Sequence, residues 1–438
     1  MGLFDALIAG DLTTLRVLSV APGRFLTEAR RDFDQDWDFS GYGTRYALDQ
    51  VASPRARALG DEAARALFAE HGASGDLARL LEGMQRGGHE MVWLCAHAGL
   101  GVRVAHHIHS SVQGMRQPQH ALRAGGIRRH DVGADEAHVL GDGLNLSRAM
   151  SYKCAHADLP YGGSKTALIA APIAPTDETR LGFLGYCIDQ GHLMTGPDVG
   201  LDGELIDALS RHVTPNILCG TSTPLGPTGG PTAEGVFIAL RAAAAFVWNS
   251  SRLDGKRAVV QGLGSVGLAL AERLALANMR VAAYDPDPAR VELARKRIPE
   301  LQLLPERGLL ETPCDVLAPC ALGGVIDEAV IPKLGCKLIY GAANNTLAGD
   351  CIDDEIRLAK ALAARKILIQ PDWSITVGGV IAGHEERTSA ELASVERVHA
   401  ALSRICGAKT TELLATAAAE GLTPTELAYA RLRRKVQR

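Results

Sequence analysis

The chain has 438 residues, long enough for two large domains or three of average size, each with its own core. Apolar residues make up 47% and charged residues 22%, which excludes a disordered or collagen-like chain. Lys and Arg number 46 against 50 Asp and Glu, a net charge of −4, so there is no basic excess to neutralise nucleic-acid phosphates. Glycines number 47 and aromatic residues are only 5%, a balance that leans towards an α/β chain with many tight turns. Nine cysteines without a CxxC pair, behind an opening MGLFDALIAG that lacks a basic leader, predict reduced thiols and a cytoplasmic protein. No run of about 18 uncharged apolar residues occurs, so no membrane span is expected.

Residues 1–80 read as an N-terminal extension of helix and loop, with helices at 61–70 and 76–84. From residue 81 the pattern changes. Two strands are predicted at 91–95 and 102–109, around the turn Ala98-Gly-Leu-Gly101. A helix follows over 135–150, then a Gly-rich loop at Tyr161-Gly-Gly-Ser-Lys165, a strand at 166–170 and a helix from Thr176 to about 195. Gly, Pro, Thr and Ser crowd 220–231, which predicts a domain boundary there. Beyond it come an Ala-rich helix to residue 249 and strands ending near 261, 285, 319, 341 and 371. Strand–helix alternation of this kind predicts a parallel, doubly wound sheet. The fold class is therefore α/β. An extension (1–80) precedes an α/β domain (81–225), a Rossmann-type domain (226–383) and C-terminal helices (384–438) that return to the earlier domain.

Gly262-Leu-Gly264-Ser265-Val266-Gly267 satisfies GxGxxG, between an apolar strand and an Ala/Leu helix. Gly262 permits the tight turn, and Gly264 lets backbone approach a pyrophosphate at the helix N-terminus. Gly267 allows close helix–strand packing. Asp285 ends the next strand at the right interval, where it can accept from ribose hydroxyls and repel a 2′-phosphate. NAD is therefore favoured, with Arg290 nearby leaving NADP open.

Two lysines stand in Met150-Ser-Tyr-Lys153 and Gly162-Gly-Ser-Lys165, and an acid follows in Pro197-Asp198-Val-Gly200. A carboxylate ligand needs a fixed cation, and a lysine depressed by burial can act as a general base. His106-His107-Ile-His109 does not read as a metal site. Neighbours along a strand face opposite ways and no further ligand follows at a suitable spacing.

These motifs, with Gly125-Gly126-Ile-Arg128, Pro231-Thr232-Ala-Glu-Gly and Gly341-Ala342-Ala-Asn344-Asn, resemble the glutamate/leucine/phenylalanine/valine dehydrogenases, most closely the leucine–phenylalanine–valine branch. The resemblance spans roughly residues 80–420. It implies NAD-dependent, reversible oxidative deamination of an L-amino acid to its 2-oxo acid and ammonia, by a homo-oligomer. It assigns the substrate α-carboxylate to Lys153, water activation to Lys165 and proton relay to Asp198. Thr232, Ala342 and Asn344 fall to the cofactor, with Asn344 also lining the substrate side. Departures stand at Ser164 for a Gly, Pro197 for a Glu, Thr376 for an Asn and Ala124 for a Leu. Ala124 beside Gly125 and Gly126 enlarges the side-chain pocket and lacks the lysine a glutamate enzyme would use there. A hydrophobic, bulky or non-proteinogenic substrate is expected. The alternatives are a relative acting on an unusual amine or imine, and a silent NAD-binding protein. Residues 113–123 read as an insertion near this pocket.

Overall fold

The computed structural model describes residues 2–116, 123–201, 203–213 and 222–436. Most of the expected insertion, and the first residues of the expected boundary segment, lie outside these. The chain divides into two compact units: residues 1–155, 160–227 and 435–438, and residues 156–159 and 228–434.

The first unit is built on one mixed sheet. Its strands are β1 (Thr14–Ala21), β2 (Arg24–Arg31), β3 (Arg57–Leu59), β4 (Met91–His97), β5 (Val102–Ser110), β6 (Arg123–Ala124), β7 (Ile127–His130), β8 (Gly162–Ile169) and β9 (Leu193–Met194). They lie in the order β3-β2-β1-β4-β5-β8-β6-β9, with β7 also paired to β8. Pairs from β3 through to β8 are antiparallel, whereas β6 and β7 run parallel to β8. Helices α1 (Leu3–Ala9), α2 (Asp61–Glu70), α3 (Ser74–Gly87) and α4 (Glu136–His156) cover one face. Helices α5 (Glu178–Gly191) and α6 (Gly203–Leu209) cover the other. Alternation along β4 shows the two-sided core: Val92 and Leu94 join Phe4, Phe68 and Leu144, while Trp93 and Cys95 join Phe39, Phe183 and Tyr186.

Two expectations are corrected here. Residues 1–80 are not an appendage, because β1 pairs with β4 and β2 with β1, making them one side of this sheet. Lys165 is not on a loop, because Gly162–Ile169 is a fully buried strand. The glycines of that strand serve packing. A Cβ on Gly163 would overlap Ser151 N and Oγ of α4, and a Cβ on Gly162 would overlap the Ser110 carbonyl.

The second unit carries a parallel sheet. Its strands are β10 (Arg257–Gln261), β11 (Arg280–Tyr284), β12 (Gln302–Leu303), β13 (Val316–Pro319), β14 (Leu338–Ile339) and β15 (Leu368–Ile369). Their order is β12-β11-β10-β13-β14-β15, the doubly wound arrangement whose strand order reverses between β10 and β13. Its helices are α7 (Gly229–Trp248), α8 (Ser265–Leu276), α9 (Pro288–Arg297), α10 (Ile352–Ala364), α11 (Asp372–Ile375), α12 (Gly378–Ser389), α13 (Val395–Leu402), α14 (Lys409–Glu420) and α15 (Pro424–Val436).

Helix α7 is long and apolar enough to cross a membrane by length and composition. In this fold it is a packing element instead. Arg273 of α8 donates to its Glu234 at 2.7 Å, and a Cβ on its Gly235 would sit 3.0 Å from the Ile375 carbonyl and 3.1 Å from Cys406 Sγ. A six-residue π-helix, Ser403–Ala408, carries Cys406 against this point. Residues up to 434, which carry most of the C-terminal helices, group with the second unit, whereas 435–438 group with the first.

Gly163→Ala should force α4 away from β8 and destabilise the protein by about 1–3 kcal/mol. A denaturant midpoint unchanged from wild type would show that this contact does not constrain the strand.

Candidate active site

The first unit gathers its charged groups at one end of β8. Here β7 and the segment after β9 are zipped together. Gly125 N–H donates to the Met194 carbonyl at 3.0 Å, Ile127 N–H to Gly196 at 2.9 Å and Arg129 N–H to Val199 at 3.0 Å. The close approach depends on glycine. A Cβ on Gly125 would overlap the Ser164 carbonyl, and one on Gly126 would lie 3.3 Å from Asp198 Cβ. Ala124 is buried and aligned with Gly163 on one side and Met194 on the other.

This zipper sets Asp198 opposite two cations. Lys165 Nζ donates to Asp198 Oδ2, and Arg128 Nε donates to the same oxygen at 3.3 Å. Arg128 Nη1 also donates to Asp142 Oδ2 of α4 at 2.8 Å. The result is a chain, Lys165–Asp198–Arg128–Asp142, with the lysine 6%, the arginine 10% and Asp198 17% exposed at the side chain. Burial alone would raise the Asp198 carboxyl. The Lys165 ammonium and the Arg128 guanidinium outweigh it and hold the group far below the usual carboxylate range. Burial pushes the Lys165 ammonium below its ordinary value, and Arg128 adds to this, while Asp198 opposes it. The pair therefore consists of an acid that is ionised at rest and an amine that gives up its proton more readily than usual. Such a pair can exchange protons with a bound reactant near neutral pH.

Lys153 is buried on α4, in the turn after Ser151, where that helix meets Gly163. Arg128 and Asp142 complete the charge chain. In sequence Arg128 is part of the Gly125-Gly126-Ile-Arg128 motif, whereas Asp142 looks like any helix-surface acid until α4 is folded onto β7.

The histidines of β5 are structural. His106 shares hydrogen bonds with Thr166 Oγ1 and the Cys187 carbonyl, both at 2.8 Å, and stacks on Trp93. His109 pairs with Ser151 Oγ at 2.8 Å and the Gly87 carbonyl at 3.1 Å. His107 is the cross-strand partner of Lys165 and packs on Gly143 of α4. No group of three His, Cys, Asp or Glu placed to hold a metal ion occurs among the described residues.

In the second unit the glycine turn lies at the switch point of the sheet. Gly262 has φ +92°, in the region that favours glycine, and α8 begins at Ser265 with Gly264 as its N-cap. A Cβ on Gly267 would overlap the Gly262 carbonyl, so this glycine is required by the fold. Gly264 differs, since the nearest atom to its Cβ would be Arg290 Nη1 at 3.9 Å. The protein leaves that space open, above the free N–H groups of Ser265, Val266 and Gly267. This fits the close approach of a dinucleotide pyrophosphate.

Asp285 braces the turn: Leu263 N–H donates to its Oδ2 at 2.7 Å and Asp287 N–H to its Oδ1 at 2.9 Å. Its side chain is only 2% exposed, while the half-exposed Arg290 stands 3.7 Å from its Oδ2. Thr232 donates its hydroxyl to the Thr228 carbonyl at 2.9 Å. Ala342 and Asn344 lie on the segment after β14, where Ala343 N–H donates to the Pro319 carbonyl at 2.9 Å. Thr376 is buried at the end of α11, with its hydroxyl donated to the Asp372 carbonyl at 2.8 Å. Thr232 and Thr376 therefore both have their hydroxyl protons committed to the backbone.

A parallel sheet of this order with its glycine turn, in a chain that also holds a buried lysine–carboxylate pair, defines the class of dinucleotide-dependent dehydrogenases. Comparison with known proteins narrows the class. Residues 103–212 match the model "Glu/Leu/Phe/Val dehydrogenase, dimerisation domain", and residues 289–438 match "Glutamate/Leucine/Phenylalanine/Valine dehydrogenase". An L-tryptophan dehydrogenase of Nostoc punctiforme is 33% identical over 309 residues, covering 70% of this chain and 83% of that protein. A valine dehydrogenase of Streptomyces virginiae is 33% identical over 354 residues, covering 78% and 92%. The crystal structure of the Nostoc enzyme superposes with a TM-score of 0.60 at 28% identity, covering 81% of this chain and 98% of that one. The chain belongs to the Glu/Leu/Phe/Val dehydrogenase family, in its leucine/phenylalanine/valine branch, and is an oxidoreductase of the kind that acts on CH–NH2 donors.

Two predictions come from this geometry. Gly264→Ala should leave the thermal midpoint unchanged and weaken NAD binding about tenfold or more in calorimetry; a lower midpoint with unchanged affinity would contradict the open-cradle reading. The second concerns acid. Burial holds His106 at about 4, and His107 and His109 at about 3, against 6.5 when unfolded. The unfolded chain therefore binds more protons below pH 6.5. Stability should fall as pH drops from about 6.5 towards 4, by up to ~1.4 kcal/mol per pH unit for each histidine. Replacing His107 should flatten this slope in denaturant titrations from pH 7 to 4; an unchanged slope would remove His107 from the account.

Proposed function

We propose that the chain catalyses the reversible, NAD-dependent oxidative deamination of a hydrophobic L-amino acid to its 2-oxo acid and ammonia. The observation that carries this reading is the buried Lys165–Asp198 pair, with Arg128 on its far side, in a chain of this family. Lys153 holds the substrate α-carboxylate. Lys165 in its neutral form takes a proton from the water that attacks the imino carbon. Asp198, ionised at rest, takes a proton transiently from the reacting nitrogen or water and returns it as the amine departs. Ala124, Gly125 and Gly126 border the side-chain pocket, and the small Ala124 leaves room for a bulky group. Asn344 borders both the substrate and the cofactor.

Gly262, Gly264, Ser265, Val266 and Gly267 hold the pyrophosphate, Thr232 and Ala342 border the nicotinamide, and Asp285 faces the adenosine ribose. When bound, the nicotinamide supplies the hydride acceptor. The negative Asp285 disfavours a 2′-phosphate and supports NAD as the nucleotide, with Arg290 a nearby cation that could offset it. The protein works as a homo-oligomer, a reading supported by the name of the family model over residues 103–212. The eight free cysteines among the described residues suit a cytoplasmic setting. A second reading, action on an unusual amine or imine, is favoured by Thr376, whose hydroxyl is committed to the Asp372 carbonyl.

The test follows NADH absorbance across a panel of L-amino acids, and in reverse across 2-oxo acids with ammonia. Turnover should be highest with large apolar side chains, and Lys165→Ala should lower kcat by about 10²–10⁴. A preference for glutamate would refute the pocket assignment. An unaffected Lys165→Ala enzyme would refute the proton chemistry, and activity confined to imine reduction would favour the second reading.

A further inference from the structure

The charge chain does not end at the two groups that exchange protons. Arg128 lies between two carboxylates, with Nε 3.3 Å from Asp198 Oδ2 and Nη1 2.8 Å from Asp142 Oδ2. Each end is anchored by a different element. Asp198 follows β9, Arg128 is on β7 and Asp142 is on α4. The zipper between β7 and residues 194–199 fixes the first distance, and the packing of α4 on β8 fixes the second. A guanidinium suits this position because its fork can meet two acids at once while remaining charged.

We propose that Arg128 and Asp142 act as an opposed pair of positioning residues that sets the protonation of Lys165, with Arg128 favouring its neutral form and Asp142 its charged form. The proposal rests on the proton roles given above to Lys165 and Asp198. The physical basis is Coulombic. A fixed cation sharing the Asp198 carboxylate with Lys165 competes for that carboxylate and disfavours a second positive charge beside it. Asp142 removes part of this effect by neutralising the guanidinium from behind. The direction of each influence on the Lys165 amine agrees with its surroundings.

Other titratable groups face the site and are held constant in the comparison. His107 of β5 lies across the strand from Lys165, and burial keeps it neutral above about pH 3. His130 at the end of β7 feels Asp142, Arg128 and Asp198, and burial lowers it. From α4 come His138 and Lys153. None of these changes its covalent identity in the variants below.

The prediction is a pair of shifts of opposite sign. Arg128→Gln should raise the apparent pKa of Lys165, and Asp142→Asn should lower it, each by about one unit. Arg128→Lys, which keeps the charge, should restore most of the wild-type value. The shift is read in two ways. One is the acidic limb of the kcat/KM profile with the best amino acid substrate. The other is the pH dependence of acetylation at Lys165 by acetic anhydride, measured by mass spectrometry of its peptide. The second readout does not depend on turnover, so an enzyme inactive on every amino acid tested would overturn the proposed function while leaving this inference measurable. Opposite shifts, with rescue by Arg128→Lys, support the inference. Shifts in the same direction, or no shift at Lys165 in the folded variants, overturn it. If Arg128→Gln fails to fold, Asp142→Asn alone decides: a fall in the Lys165 value supports the proposal, and a rise or no change overturns it.

Discussion

Everything in the first unit bears on one contact, the ion pair between Lys165 and Asp198. A buried lysine and a buried carboxylate are each costly to remove from water, and removing Asp198 would leave the Lys165 ammonium without its carboxylate, at about 3–5 kcal/mol. The pair persists because the backbone around it is over-determined. β8 is hydrogen-bonded on both sides, its glycines allow α4 to close on it, and Asp198 hangs from a segment zipped to β7. The glycines at 125, 126, 162 and 163 are therefore part of the chemistry although none reacts. Each removes a side chain that would push one of the charged groups out of place.

The same arrangement separates two roles that a single acidic or basic residue could not combine. Arg128 and Lys165 together keep Asp198 ionised, and burial keeps Lys165 ready to lose its proton. The acid and the base are thus driven apart in affinity by their surroundings, the general means by which a fold runs proton transfer near neutral pH. Around them, histidines that could have competed are held neutral by burial and by hydrogen bonds to Thr166, Ser151 and backbone carbonyls.

Much of the second unit was legible in the sequence. An apolar strand, a glycine turn and an acid at the end of the next strand are local signals, and the parallel sheet has the predicted alternation. The first unit was less so. β2 turns Thr27, Ala29 and Arg31 inward, and Arg31 is satisfied by Asp11 and Asp34. A strand that buries an arginine shows no apolar alternation, so residues 1–80 read as an extension when they form one side of the sheet. Pro22-Gly23, with Gly23 at φ +71°, was the available hairpin signal. Lys165 and Asp198 could be singled out from their motifs, but 33 residues separate them and only the fold brings them together. Asp142 carries no motif at all. Its partner is created by the crossing of α4 over β7, a tertiary event without a trace in local sequence. The packing of the C-terminal helices on α7 is equally non-local, since Gly235 and Cys406 meet although 170 positions lie between them.

The account stands or falls on whether the Lys165 amine performs proton transfer. The most direct measurement is chemical rescue of Lys165→Ala by small primary amines, monitored as NADH formation with the preferred amino acid. The account predicts a variant nearly inactive alone, with turnover restored in proportion to added amine and more effectively by more basic amines of equal size. A Lys165→Ala enzyme that turns over at the wild-type rate with no amine present would contradict it.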